Sequence, residues 1–189
     1  RDAVQNAYLL CRTADALEDS WPGSPPEIGA RFELFRDAIA GDDRAAEKLA
    51  HDAQALPGGS EDLELVRHFP AVWRVFQALD ASDRAAITQA VLVMSEGMNR
   101  YASRAAAREA GVAYLDDEAE LDDYCWVVAG CVGVMLTKLH AARSPVTAGA
   151  GESSGHAERE RHRLALAPVV GRALQLTNIL LDWPQDVRR

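Results

Sequence analysis

Tyr8, Arg12, Asp15 and Asp19 are spaced four, three and four residues apart, which puts them on one face if residues 2–19 form a helix. Gln175, Asn178, Asp182 and Asp186 repeat the pattern near the other end, at spacings of three, four and four. Each stripe thus holds two aspartates one helical turn apart. Carboxylates so placed, about 5–6 Å apart at Cβ, can bind one hard cation or two neighbouring ones through oxygen. Mg2+ takes one or two carboxylates, keeps several waters and completes its shell with phosphate oxygens, so two facing pairs would clamp a diphosphate. The planar fork of Arg12 would offer itself to the same phosphates. For the first stripe alone a plainer reading stands beside this one: a solvated charged side with an Arg12 to Asp15 pair contributing a few tenths of a kcal/mol.

A third stripe lies in "DDYCWVVAGCVGVMLTKL", residues 122–139, where Tyr124, Val127, Val128, Cys131, Val134 and Met135 fall on one side. Ala129, Gly130 and Gly133 add little bulk there. Helix-interior glycines cost up to about 1 kcal/mol each, so something needs the space. The candidates are a closely packed second helix and a hydrocarbon chain. Leu174, Ile179, Leu180 and Leu181 supply apolar neighbours to the second acidic stripe.

The elements that must position these side chains read as helices. Long alanine- and leucine-rich stretches, 8 prolines and 13 glycines among 189 residues favour helix, and no strand alternation or long-period repeat is visible. The expected fold class is all-α in one domain. The patterns predict helices over about 2–19, 27–40, 42–54, 61–79, 82–110 and 118–142, and a last one from about 158 to 182 or beyond, with Pro184 bending or ending it. "SPVTAGAGESSGHAERE", residues 144–160, reads as a mobile surface loop. Trp73, Phe76 and Leu79 read as core, and so do Met94, Met98 and Tyr101.

Composition excludes several roles. A net charge of −9 gives no basic footprint for nucleic acid. Three cysteines, Cys11, Cys125 and Cys131, without close spacing, argue against a disulfide framework and for a reducing, cytoplasmic setting. The longest uncharged apolar run, residues 126–136, is short of the roughly 20 residues a membrane span needs. The five histidines show no metal-ligand spacing. The chain starts at Arg1 with no signal region and stops in a polar segment, so it is expected to be part of a longer protein lacking N- and C-terminal portions.

"YLLCRTADALED", "YCWVVAGCVGVMLTKL" and "GRALQLTNILLDWPQD" resemble, in order and rough spacing, three blocks of the squalene and phytoene synthases, the head-to-head prenyl synthases. The resemblance implies an isoprenoid synthase-like helical bundle around a central cavity, with both aspartate motifs holding Mg2+ at its mouth. Asp15, Asp19, Asp182 and Asp186 would be the metal positions, Asp15 and Asp182 serving catalysis directly. Tyr8, Arg12, Gln175 and Asn178 would contact diphosphate or support the metal site. Tyr124 would sit near the reacting carbons as a proton relay or cation-stabilising group. The implied reaction joins two farnesyl diphosphates through a cyclopropyl diphosphate to squalene, with NADPH as hydride donor, or to dehydrosqualene. Phytoene synthesis from geranylgeranyl diphosphate and a non-catalytic helical subunit are the alternatives. The implied partners are small prenyl diphosphates, with peripheral membrane contact for product release. Glu18 directly before Asp19 looks more like the squalene synthases. Leu181 stands where the family usually has an arginine.

Overall fold

The computed structural model describes residues 2–58, 60–108, 115–143 and 153–186, the side chains at 153, 154, 156 and 182–186 excepted. Among the described residues the chain is helical with no strand: α1 Asp2–Asp19, α2 Pro25–Ala40, α3 Asp43–Gln54, α4 Glu61–Arg67, α5 Phe69–Gln77, α6 Ala81–Ala107, α7 Glu118–Cys125, α8 Cys131–Ala141 and α9 Ser153–Asp186. A π-helical turn, Trp126–Gly130, joins α7 to α8 without a break.

Local chemistry explains most of the boundaries. Ser24 and Glu27 form a capping box at the start of α2, the Ser24 amide donating to Glu27 Oε2 at 2.7 Å. Asp42, Ser60 and Asp117 each accept backbone N–H groups at the starts of α3, α4 and α7. Gly41, at φ 116°, closes α2 in the left-handed conformation that favours glycine.

Three departures from the expected elements have physical causes. The single helix predicted over 61–79 is two, broken at His68, because Pro70 has no N–H to give and its ring crowds the Val66 carbonyl. The last helix starts at Ser153, so only residues 144–152 of the predicted loop remain, and these lie outside the described residues. Ala157, Glu158 and Arg159 are good helix formers and outweigh Gly155. The same helix runs past Pro184 to Asp186: the missing N–H deprives only the Leu180 carbonyl of its donor, one bond in a helix of 34 residues.

Helices α1, α2 and α6 build the core. On α1, Ala3, Ala7, Leu10, Ala14 and Leu17 face inward at helical spacing, leaving the Tyr8, Arg12, Asp15, Asp19 stripe on another side. Phe32, Phe35, Phe69, Phe76, Ile87 and Val91 are fully buried, each contributing about 1.5–3 kcal/mol by leaving water. Phe35 and Phe69 lean together with centroids 5.4 Å apart. Two polar ties fix the layers: Asn6 Nδ2 donates to the Val72 carbonyl at 2.9 Å, and Trp73 Nε1 to the Ala38 carbonyl at 2.7 Å. Met94, Met98 and Tyr101 are buried, as expected of core residues. All three cysteines are free, and burial pushes the Cys11 and Cys131 thiols up to about 12. By length and composition Glu118–Ala141 and Ala157–Leu181 would each reach across a bilayer; here α8 is packed on α6 and α9 on α8.

Candidate active site

The first acidic stripe is concentrated at the C-terminal end of α1. Tyr8 is 63% exposed, one turn before Arg12. Arg12 Nη1 donates to Asp15 Oδ2 at 3.0 Å, and its Nη2 donates to Asp62 on α4. The guanidinium fork is therefore already held by two carboxylates. Asp15 is pushed up to about 6, mainly by burial, with Asp19 and Asp62 adding to the rise and Arg12 opposing it. Glu18 is pushed up to about 8 by burial and by the neighbouring Asp19 and Asp15. The three acids crowded here face one arginine, and their oxygens are the donor set that a hard divalent cation prefers. Among the described residues no group of three or more histidine, cysteine or acidic side chains is arranged as a closed metal cage.

The second stripe borders a groove of about 860 Å3 between the π-turn with α8 on one side and α9 on the other. Val128, Ala129, Val132 and Leu136 line one wall, and Leu166, Val170 and Leu174 the other. Gln175 and Asn178 stand at one end; Thr137, His140, Arg159, Glu160 and Arg163 stand at the opposite end. The volume lies within the roughly 300–1,000 Å3 of small-molecule pockets. Asp182 and Asp186 follow Asn178 on α9, but their side chains lie outside the described residues. The structure thus brings Gln175 and Asn178 to the groove and clusters Arg12, Asp15 and Asp19 on α1. Neither Tyr8 nor the α1 acids are among the residues lining that groove.

The glycines of this region serve helix contact. A Cβ on Gly133 would lie 2.6 Å from the Ala167 carbonyl oxygen, and one on Gly171 would lie 2.5 Å from that of Ala129. The backbones of α8 and α9 touch there, and the space for a hydrocarbon lies beside the contact. The groove wall shares only Val128 with the stripe expected from sequence. Val127, Cys131 and Met135 are buried in the interior, whereas Val128, Val132 and Leu136, at the same spacing one residue on, face the groove. Tyr124 is partly buried against Tyr101, with centroids 5.3 Å apart, and does not line the groove. Asp62 was invisible to spacing arguments, because it meets Arg12 from 50 residues away. The alternation of Leu166, Val170 and Leu174 on α9 was the signal that could have located the second wall.

The whole chain, residues 1–189, matches the family described as squalene/phytoene synthase. It is 28% identical to the squalene synthase of Homo sapiens over 98% of this chain and 38% of that protein. It is 32% identical to the squalene synthase of Ganoderma lucidum over 95% of this chain and 34% of that protein. Squalene synthase BSS of Botryococcus braunii is 27% identical, covering 99% of this chain and 35% of that protein. The chain therefore spans little more than a third of the length of these relatives. An all-helical bundle, an apolar groove ending in an amide pair, and a profile match from first residue to last agree: this chain belongs to the squalene/phytoene synthase family.

Proposed function

We propose that the protein joins two farnesyl diphosphates head to head through a cyclopropyl diphosphate, giving squalene or dehydrosqualene, within one prenyl synthase domain. The observation that carries this reading is the apolar groove whose amide end, Gln175 and Asn178, sits directly before the Asp182 and Asp186 positions of α9. Squalene synthases among its relatives and Glu18 beside Asp19 favour farnesyl over longer chains.

The residues at hand fit Mg2+: Asp15 and Asp19 offer hard oxygen ligands, and Asp182 and Asp186 would complete the set. Bound Mg2+ would neutralise charge on the departing diphosphate. Arg12 and Tyr8 would orient that diphosphate, and Gln175 and Asn178 would hold it from the α9 side through amide hydrogen bonds. An allylic cation must be kept from water, which is the task of Val128, Val132, Leu136, Val170 and Leu174. Tyr124 would stabilise the cation or pass a proton. A squalene product also requires a hydride donor, NADPH, as soluble co-substrate.

Incubating the full-length protein with farnesyl diphosphate and Mg2+ should release inorganic diphosphate, with the product identified by mass. Release should be lost in Asp15→Ala and in Asp182→Ala, by about 10²-fold or more. Squalene appearing only with NADPH supports the full reading, whereas phytoene from geranylgeranyl diphosphate would replace it. No release from either substrate, together with no Mg2+-dependent diphosphate binding by calorimetry, would favour a non-catalytic subunit. Leu181 and the occupied fork of Arg12 are the observations on that side.

A further inference from the structure

We propose that Tyr101 is a positioning residue for Tyr124, holding its ring through an edge-on contact that Asp123 and Arg100 lock in place. This rests on the proposed reading of Tyr124 as a group near the reacting carbons, one turn before Val128 of the groove wall. Tyr101 is 3% exposed on α6, and its ring meets the Tyr124 ring at 86° with centroids 5.3 Å apart. Edge-to-face pairs are directional, so the partner's orientation is constrained as well as its distance. The Tyr101 ring is itself held at three points. Its hydroxyl donates to Asp123 Oδ2 at 2.7 Å, with the Glu120 carbonyl oxygen 3.2 Å away, and the Arg100 guanidinium lies 4.9 Å from the ring centroid. Arg100 also pairs with Asp123, so the residue next to Tyr124 in the chain is tied to α6 twice. Burial and the bond to Asp123 keep the Tyr101 phenol above its ordinary range, so it stays a donor across working pH.

The consequence is mechanical. Tyr124 lies in the last turn of α7, one residue short of its end at Cys125, and the π-turn that follows supplies Val128 and Ala129 to the groove wall. A π-turn is a local irregularity that needs support from its surroundings. The Tyr101 network supplies that support on the α7 side, so the phenol of Tyr124 is oriented before substrate arrives. A misplacement of about 1 Å can cost 10²-fold in rate, which makes such ordering matter for turnover more than for substrate affinity.

The test uses the full chain labelled with 3-fluorotyrosine, the four tyrosines being assigned by single substitutions to phenylalanine. The Tyr124 fluorine resonance should be sharp and single in the parent protein and broadened or averaged in Tyr101→Leu. Tyr101→Phe keeps the edge-on ring and loses only the anchor, so it should show an intermediate line. With farnesyl diphosphate, kcat should fall about 30–100-fold in Tyr101→Leu and about 3–10-fold in Tyr101→Phe, with KM within about twofold in both. Should Tyr101→Leu fail to fold, the Tyr101→Phe line shape and kcat still decide. An unchanged Tyr124 resonance, or a loss confined to KM, would overturn the proposal. Full turnover by Tyr124→Phe would instead remove Tyr124 from the chemistry and end the kinetic half, leaving the line width to judge whether Tyr101 orders the ring.

Discussion

At the residue scale the acid cluster on α1 is a source of instability that a cation would relieve. Glu18 is raised to about 8 in the folded protein from an ordinary value of 4.5, and Asp15 to about 6 from 3.8. A raised folded-state pKa means that the stability these groups contribute is fully present below the unfolded values and is lost as pH rises through the folded ones. The metal-free protein should therefore melt lower at pH 8.5 than at pH 5. Allowing for the partial exposure of Glu18, the loss is about 2 kcal/mol, roughly 4–8 °C for a chain of this size. Glu18→Gln should remove most of that difference and stand above the parent at pH 8.5, and Mg2+ should raise the parent's Tm there. Calorimetric melts in chelator and in Mg2+ check all three. Asp62 gives a second expectation. Asp62→Ala removes the acceptor and frees one arm of the Arg12 fork, so Mg2+-dependent binding of inorganic diphosphate should tighten about 3–10-fold by titration calorimetry. That Arg12, Asp15 and Asp19 share one helix, and Gln175 and Asn178 another, was legible from spacing. Asp62 was not, since nothing in a sequence marks which acid from a distant helix will fold against an arginine.

At the element scale the contact of α8 with α9 decides whether a groove exists. The glycines of this contact leave no room: an added Cβ at Gly171 meets the Ala129 carbonyl at 2.5 Å, and one at Gly133 meets the Ala167 carbonyl at 2.6 Å. Backbone carbonyls cannot turn aside as a flexible side chain can, so Gly133→Ala and Gly171→Ala should each cost about 1–3 kcal/mol. Gly29, in the interior of α2, is the contrast. The nearest atom to its Cβ position is Asn99 Oδ1 at 4.0 Å, so Gly29→Ala should gain about 0.4–1 kcal/mol. Urea unfolding of the three variants measures the difference, and equal values would show that α9 can slide without cost. Sequence periodicity found the helix spanning α7 and α8 and the need for small residues in it. It missed the π-turn at Trp126–Gly130, which breaks the regular helical register inside that run. Periodicity from Tyr124 through Met135 left open whether that side meets a second helix or a hydrocarbon; Val127, Cys131 and Met135 belong to the core, and Val128 alone of the stripe reaches the groove. Proline acted in opposite ways: Pro70 split a predicted helix, and Pro184 did not end one.

Across the whole molecule, burial is uneven in a way that bears on ligand binding. Helices α1 and α6 are surrounded by neighbours and, together with α2, carry half of the largest fully buried side chains, whereas the main contacts of α9 fall on α7, the π-turn and α8. Ala167 is a buried hydrophobic residue of α9, while Leu166, Val170 and Leu174 are 46–62% exposed along the groove. Arg172 adds an ion pair to Asp122 at 2.7 Å, but surface pairs of this kind contribute only about 0–1 kcal/mol. Elements with few buried apolar contacts open at lower free energy than the global unfolding. The amides of α9 should therefore exchange with deuterium at least about tenfold faster than those of α6. A hydrocarbon chain laid between Val132, Leu136, Val170 and Leu174 would bury surface on both walls at once, at about 25 cal/mol per Å2. A non-hydrolysable farnesyl diphosphate analogue with Mg2+ should then slow exchange across residues 163–178 by a comparable factor and leave α2 and α3 unchanged. Val132→Trp, which fills the groove from a partly exposed position on α8, should abolish that protection while the protein still melts cooperatively. Protection that persists in Val132→Trp, or that appears on α2 and α3 instead, would place the prenyl chain elsewhere in the bundle.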